Sequence, residues 1–313
     1  MQWEDRIGRR LKLRDVHMLL AAVQCGSMAK AAERLAVSHP VVSKTISDLE
    51  HTLGVQLLER SRQGVEPTIY GRAVLKHGLA AFDELRQCVK EIESLADPAA
   101  GEVRIGSINP LAASFTSAAV DRLAQRNLRI QFHLLSGELE TLSRDLFERR
   151  LDLLVAWKIA PLTDPSFRFK PLYTDFTVVA AGANHPLARR RKIEFAQLIT
   201  ERWVLPPPDS SIGAVFREAF RASGLDWPRT TVIAFSHDVR TSLLATGRYL
   251  TMFRDSVMRF PTRHPDLVPL PIRLLIPGVD MGVVTLANRA LSPAARLFVE
   301  QASEVARPLV KGK

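Results

Sequence analysis

Apolar residues recur every three or four positions from Leu13, and Leu13, Val16, Leu19, Leu20 and Val23 share one side, which predicts a helix over 13–24. Gly26 ends it, and Ser27 is suited to cap a short, Ala-rich helix over about 28–35. After a tight break at Val37-Ser38, Ser38 is placed to cap a third helix that accepts Pro40 in its first turn and runs to about Leu53, before Gly54. Val42, Ile46, Leu49 and Leu53 form its buried stripe, while His39, Ser43, Lys44 and Ser47 face outward. Two helices joined by a tight turn, the second with a polar outer face, predict a helix-turn-helix. Extended runs at 55–58 and 65–68 flank the basic turn Glu59-Arg60-Ser61-Arg62-Gln63-Gly64 and predict a small hairpin, or wing.

A long helix follows, from Thr68 to about Ala96. Leu75, Leu79, Phe82, Leu85, Val89, Ile92 and Ala96 are spaced 4, 3, 3, 4, 3 and 4, close to a heptad seam. A second copy of the chain is the simplest partner for that seam; packing against the chain's own C-terminal part is the alternative. Asp97-Pro98-Ala99-Ala100-Gly101 then reads as a hinge. Beyond it strands and helices alternate: strand 103–106, helix 111–126, strand 129–135, helix 139–149 and strand 151–157 predict a parallel, doubly wound sheet. A second α/β unit follows, with strands at 176–181, 202–205 and 230–235 and helices at 194–199, 211–223 and 238–245. A strand at 282–287 and a helix at 292–306 return to the first. The predicted organisation is α/β overall: a winged helix-turn-helix over 1–67, a linker or dimerisation helix over 68–97, and a two-lobed domain over 98–313. Lobe I spans about 102–175 and 280–306, and lobe II about 176–279.

Composition changes this picture little. The chain of 313 residues carries a formal charge of +10, yet residues 1–100 hold 14 Lys+Arg against 13 Asp+Glu, leaving most of the excess in the C-terminal part. Only local clusters, Arg6-Arg9-Arg10-Lys12-Arg14 and Arg60-Arg62, mark a basic surface near the predicted helix-turn-helix. Two cysteines give neither a disulfide framework nor a metal-ligand spacing, and no apolar run suits a membrane span or a leader, so a cytoplasmic protein is expected. No phosphate-loop, dinucleotide, nucleophile-elbow or His-Glu-x-x-His motif is present, and the eight histidines show no metal-ligand spacing. An enzyme, a cofactor and a bound metal are not expected.

Residues 13–77 resemble the DNA-binding end of LysR-type transcriptional regulators. The resemblance is carried by Ser27-Met28-Ala29-Lys30-Ala31-Ala32-Glu33-Arg34-Leu35, Ser38-His39-Pro40-Val41-Val42-Ser43-Lys44, Leu53-Gly54, Leu57-Leu58-Glu59-Arg60 and Thr68-Ile69-Tyr70-Gly71. The C-terminal part is similar to the family's effector domain, a two-lobed fold like type 2 periplasmic binding proteins, on Val103-Arg104-Ile105-Gly106, His185-Pro186-Leu187 and Leu291-Ser292-Pro293-Ala294-Ala295. His39, where the family usually has Gln, and Trp157, where many relatives have a small or polar residue, depart from the pattern.

The resemblance implies a third helix in the major groove of double-stranded DNA, with Ser27, Lys30, Ser38, His39, Pro40, Ser43, Lys44 and Ser47 at the interface and Arg60 and Arg62 on the wing. It also implies an imperfect palindromic operator, a homodimer assembling to a homotetramer, contact with RNA polymerase, and a small-molecule effector between the lobes. Turns predicted to line that cleft supply Ser107, Asn109, Pro110, Leu111, Ser136, Gly137, Trp157, Ser210, Ser211, Thr246 and Gly247. Hydroxyls, amides and helix N-termini suit an anionic or sugar-like ligand, and Trp157 offers a ring to stack on. A transport-type binding protein and an architectural DNA-binding protein without a ligand response are the rival readings.

Overall fold

The computed structural model describes residues 10–61, 64–97, 100–126, 129–159, 162–229, 232–260 and 266–310. The chain divides into two compact units, residues 1–92 and 93–313.

In the N-terminal unit the helices are α1 (Leu13–Cys25), α2 (Met28–Arg34) and α3 (His39–Leu53), followed by β1 (Leu58–Ser61), β2 (Gly64–Pro67) and α4 (Ile69–Ala96). The apolar stripes read from the sequence meet in one core, where Leu19, Ala22, Ala31, Val42, Ile46 and Leu57 are wholly buried. Ser27 caps α2 as expected, accepting from the Lys30 amide, whereas Ser38 occupies the N-cap of α3 without a side-chain hydrogen bond. Pro40 relieves that end, because it brings no amide to satisfy. The β1–β2 hairpin is tied down by Glu50, whose carboxylate accepts from the amides of Leu57 (2.8 Å) and Leu58 (3.2 Å). Two glycines let it lie flat. A Cβ on Gly64 (φ +131°) would meet the Gly26 carbonyl oxygen at 2.4 Å, and one on Gly71 the Leu57 oxygen at 2.1 Å.

The seam of α4 divides. Leu75, Leu79 and Phe82 pack on the unit's core, while Leu85, Val89, Ile92 and Leu95 are exposed.

Lobe I of the second unit contains β3 (Ala100–Ile108), α5 (Asn109–Leu111), a π-helical turn (Ala112–Thr116), α6 (Ser117–Ala124), β4 (Arg129–Gly137), α7 (Leu139–Phe147), β5 (Leu153–Trp157) and β6 (Phe167–Asp175). Lobe II contains β7 (Thr177–Gly182), two 3-10 turns (Pro186–Arg189 and Phe195–Leu198), β8 (Val204–Leu205), α8 (Ser211–Ala222), β9 (Val232–Ile233), α9 (His237–Ala245), β10 (Leu250–Arg254), α10 (Asp255–Arg259) and β11 (Leu267–Pro269). Then β12 (Val279–Leu286) and α11 (Pro293–Val310) return to lobe I.

The lobe I sheet has the order β4-β3-β5-β12-β6. The expectation of a purely parallel sheet needs correction: β12 runs antiparallel to both β5 and β6 because it re-enters from lobe II at the end where β5 and β6 finish. The chain crosses between lobes twice, from β6 into β7 and back into β12. In lobe II, β7 lies between β10 and β11, and β8 pairs with β9. A parallel bridge between Trp203 and Leu250 orients β8 alongside β10. The pairing of Arg254 with Thr177, the first residue of β7, sets the carboxyl end of β10 beside the crossing. The strand ends at Ile108, Gly137 and Trp157 in lobe I and at Leu205, Ile233 and Arg254 in lobe II therefore border one cleft.

Candidate functional site

Two surfaces emerge. On the N-terminal unit, α3 buries Val42, Ile46 and Leu49 and leaves Ser38, His39, Pro40, Lys44 and Ser47 exposed, with Ser43 half-buried. Lys30 on α2 is exposed, and neither the Lys30 nor the Lys44 ammonium has an ion-pair or hydrogen-bond partner among the described residues. Arg60 projects from β1, 3.9 Å from Glu50, the residue that also anchors the hairpin. Arg62 lies outside the described residues. The structure thus brings together the predicted polar face of α3, Lys30 and the wing residue Arg60 on one small unit. Uncompensated cations and hydroxyls on an exposed helix suit phosphate and base-edge contacts.

The second surface is the cleft. At the strand ends of lobe I stand Ser107, Asn109, Pro110, Leu111, Ser136, Gly137 and Trp157, as expected. Their surroundings differ from the expectation. Ser107 is buried and exchanges a hydrogen bond with Thr116 (2.8 Å), and Leu111 is wholly buried. Asn109 and Ser136 are exposed. The helix predicted at 111–126 begins two residues earlier and passes through a π turn in which Ser114 Oγ donates to the Pro110 carbonyl (2.6 Å). Trp157 is not an open stacking surface. It is 8% exposed, its Nε1 donates to Asp175 (2.8 Å), and the Arg254 guanidinium lies 5.5 Å from its ring centre.

In lobe II, Ser210 caps α8, accepting from Gly213 N (3.1 Å) and donating to the Pro207 carbonyl (2.6 Å), and Ser211 is the helix's first residue. Thr246 and Gly247 do not belong to the cleft. They lie where α9 ends and before β10 begins, at the opposite edge of the sheet, and Gly247 takes φ +70° as the turn requires. Their placement in the cleft fails because they precede a strand; only turns after parallel strands reach this edge.

Sequence reasoning missed the cluster at the crossing between lobes. Asp175 accepts from Trp157 Nε1, from Ser256 N (3.1 Å) and from Ser256 Oγ (2.6 Å). Burial, opposed by those hydrogen bonds and by Arg254, pushes its carboxyl above the ordinary range. Arg254 donates to Thr177 Oγ1 (3.0 Å). A cavity of about 400 Å³ opens beside the cluster, lined in part by Tyr173, Asp175, Asp255, Ser256 and Arg259; none of the predicted cleft residues lines it. The sequence marks these residues only as an isolated Asp and an isolated Arg, which is weak by itself. Among the described residues no group of His, Cys, Asp and Glu is arranged to hold a metal ion, and no helix is long and apolar enough to cross a membrane.

Comparison with known proteins agrees with this arrangement. Residues 13–72 match the model of the bacterial regulatory helix-turn-helix protein, lysR family, and residues 96–307 match the LysR substrate binding domain. The chain is 27% identical to the HTH-type transcriptional regulator PcaQ of Agrobacterium fabrum over 307 residues, covering 98% of this chain and 99% of that one. A full-length OxyR variant from Pseudomonas aeruginosa shares the fold at TM-score 0.64 and 21% identity, covering 95% and 96% of the two chains. So does full-length CbnR, a LysR family transcriptional regulator whose structure is known in complex with its target DNA, at TM-score 0.56 and 20% identity over 95% of this chain and 100% of that one. With a helix-turn-helix at one end and a two-lobed substrate-binding domain at the other, the chain belongs to the LysR family of DNA-binding transcriptional regulators, which are not enzymes.

Proposed function

We propose that the N-terminal unit lays α3 in the major groove of an imperfect palindromic operator. Lys44, Ser43, Ser47, His39 and Pro40 face the base edges, Ser27, Lys30 and Ser38 hold the backbone register, and Arg60 of the wing reaches phosphate. The observation that carries this reading is the exposed polar face of α3 with Lys44 unpartnered at its centre. Exposed Leu85, Val89, Ile92 and Leu95 on α4 support a homodimer, and pairs of dimers a homotetramer that contacts RNA polymerase. The effector, an anionic or sugar-like small molecule, sits between the lobes and changes how the wings are presented to DNA. The two free cysteines and the DNA partner fit a cytoplasmic protein.

The test is binding of the purified protein to DNA from upstream of its own and neighbouring genes, against a scrambled duplex at two salt concentrations. A palindromic fragment should bind on the order of 10³-fold more tightly than the scrambled one. Lys44→Ala should remove most of that preference. If no fragment is preferred, alone or with added metabolites, the reading fails.

A further inference from the structure

We propose that the end of lobe II opposite the cleft is a second DNA-contact surface, which holds the phosphates of duplex lying outside the operator. Arg189, Arg190, Arg191, Lys192, Arg202 and Arg248 carry it. The proposal goes beyond the operator reading, because it assigns part of the sequence-independent affinity to the effector unit.

Residues 176–279 hold 14 Lys+Arg against 8 Asp+Glu, a net of +6, whereas residues 1–100 hold 14 against 13. The end that reads DNA is nearly neutral, and most of the cationic surplus belongs to lobe II. The fold gathers part of that surplus at one end. Leu250, the first residue of β10, pairs with Ala181 near the end of β7, bridges to Trp203 and donates its amide to the Arg202 carbonyl (2.8 Å). Arg202 and Arg248 therefore flank the start of β10. A Cβ on Gly247 would lie 3.2 Å from the Asn184 Cβ, so the turn that carries Arg248 packs on the segment leaving β7. That segment continues through the 3-10 turn Pro186–Arg189, and Leu187 and Ile193 sink into the core that also holds Trp203 and Leu250. Between those two anchors Arg189–Lys192 stays on the surface, every residue exposed, as Arg202 and Arg248 are.

None of the five arginine side chains makes an ion pair or a hydrogen bond among the described residues. Lys192 lies 3.6 Å from Glu194 across an exposed pair. Glu201, which acts on the buried His185, and exposed Asp266 are the other carboxylates beside the six cations. Asp226 and Arg229, ahead of β9, offset each other.

Cations without carboxylate neighbours repel one another and hold counterions, and a phosphate backbone releases those ions when it displaces them. Five of the six are arginines, whose planar fork fits a phosphate with two hydrogen bonds. Such a surface reads no bases, so it acts on every sequence alike. By itself it would bind duplex weakly, with Kd of roughly 10⁻⁴ to 10⁻⁶ M. Once the helix-turn-helix holds an operator, however, neighbouring duplex is presented at an effective concentration on the order of 1 mM, enough to fill a site that weak. An acidic protein has no such tether, which favours DNA as the occupant.

The test uses the full-length protein and a long random-sequence duplex, titrated between roughly 50 and 200 mM salt. The variant combining Arg189→Ala, Arg190→Ala and Arg191→Ala should lose at least about ten-fold in affinity at the low-salt end, and its slope of log affinity against log salt should fall by about 2–3. Arg202→Ala with Arg248→Ala, distant in the chain but at the same end of the lobe, should lower the slope by about 1–2. A control combining Arg126→Ala, Arg144→Ala and Arg296→Ala removes the same charge from exposed positions of lobe I and should change the slope much less. Lysine at 189, 190 and 191 keeps the charge and should keep the slope. The proposal is overturned if the alanine variant binds as the parent or as the lobe I control does, or if the lysine variant loses as much as the alanine one. Parent-like DNA binding with lost binding of polyglutamate would assign the surface to an acidic protein and equally overturn it. On the operator fragment the alanine variant should lose affinity without losing preference over scrambled DNA, the opposite of Lys44→Ala. If no operator exists and random duplex still shows the loss, the operator reading falls and this one stands.

Discussion

Lys44 in the N-terminal unit and Arg240 in the effector unit carry the same charge, and the chain treats them in opposite ways. Lys44 stands on an exposed helix face with no side-chain partner, where water solvates it at little cost. Arg240 is stripped of water between two phenylalanine rings. Arg289 shows a third arrangement, buried and neutralised by Asp152. An exposed cation keeps its hydration and stays open to a large polyanion. A buried one keeps no water to exchange, so any group that meets it must give up its own.

This contrast can be broken at several points. The largest effect should come from Asp152→Ala, which takes away the carboxylate that neutralises the buried Arg289 side chain and removes the acceptor of the Arg104 amide. Loss of one partner of a buried pair costs about 3–5 kcal/mol. For a unit of this size, that is a fall in Tm of roughly 10 °C. A change within a degree or two would mean that Arg289 is as tolerant as a surface cation.

Lys44→Ala comes next. Loss of a specific base contact costs about 1–3 kcal/mol, so the operator should lose roughly ten- to a hundred-fold in affinity while random DNA loses much less. Equal losses on both would make Lys44 a phosphate contact only.

A smaller effect concerns Asp175. Its folded pKa lies above its unfolded value, so the folded chain takes up the proton first as pH falls. Its contribution to stability therefore improves as pH drops through the window between the two values, which begins at about 4 for the unfolded carboxyl. It is lost as pH rises through the folded pKa. The stability of the parent relative to Asp175→Asn should increase as pH is lowered towards about 4, measured as the difference in Tm. A difference that is flat or grows with pH would contradict the assignment.

Arg60→Ala should have the smallest effect. An exposed wing cation held loosely by Glu50 is expected to meet phosphate and so to contribute to all sequences alike. Its loss should lower the slope of log affinity against log salt by about 1 and leave sequence preference intact.

The N-terminal unit was almost wholly legible in the sequence, because its helices are amphipathic and its turns carry their own signals. Val42, Ile46 and Leu49 fixed which face of α3 is buried, and Gly26 and Gly54 marked helix ends that take positive φ. Lobe II and the strand that leads into it were less legible. All five residues of β10 are buried, so it shows no alternation, and β6, the last strand of lobe I before the crossing, carries Pro171 in its middle. Both strands were missed, and with them the position of Arg254 and Asp175. Thr246 and Gly247 were misplaced for the same reason: without β10, the turn before it was taken for one that follows a strand.

The sequence by itself determined the helix-turn-helix, the polar face of α3 and the long helix, each written in local periodicity, capping and turn chemistry over fewer than about 30 residues. The family was legible as a resemblance carried by matched residues over 13–77, and the two-lobed α/β plan in the alternation of strands and helices beyond residue 101. Only the tertiary structure decided which charges are buried and which are neutralised. Asp152 and Arg289, Trp157 and Asp175, and Asp175 and Ser256 are far apart in the chain and meet only through the strand order and the double crossing between lobes. Pairing and desolvation depend on distance in space, which no spacing along a single sequence records.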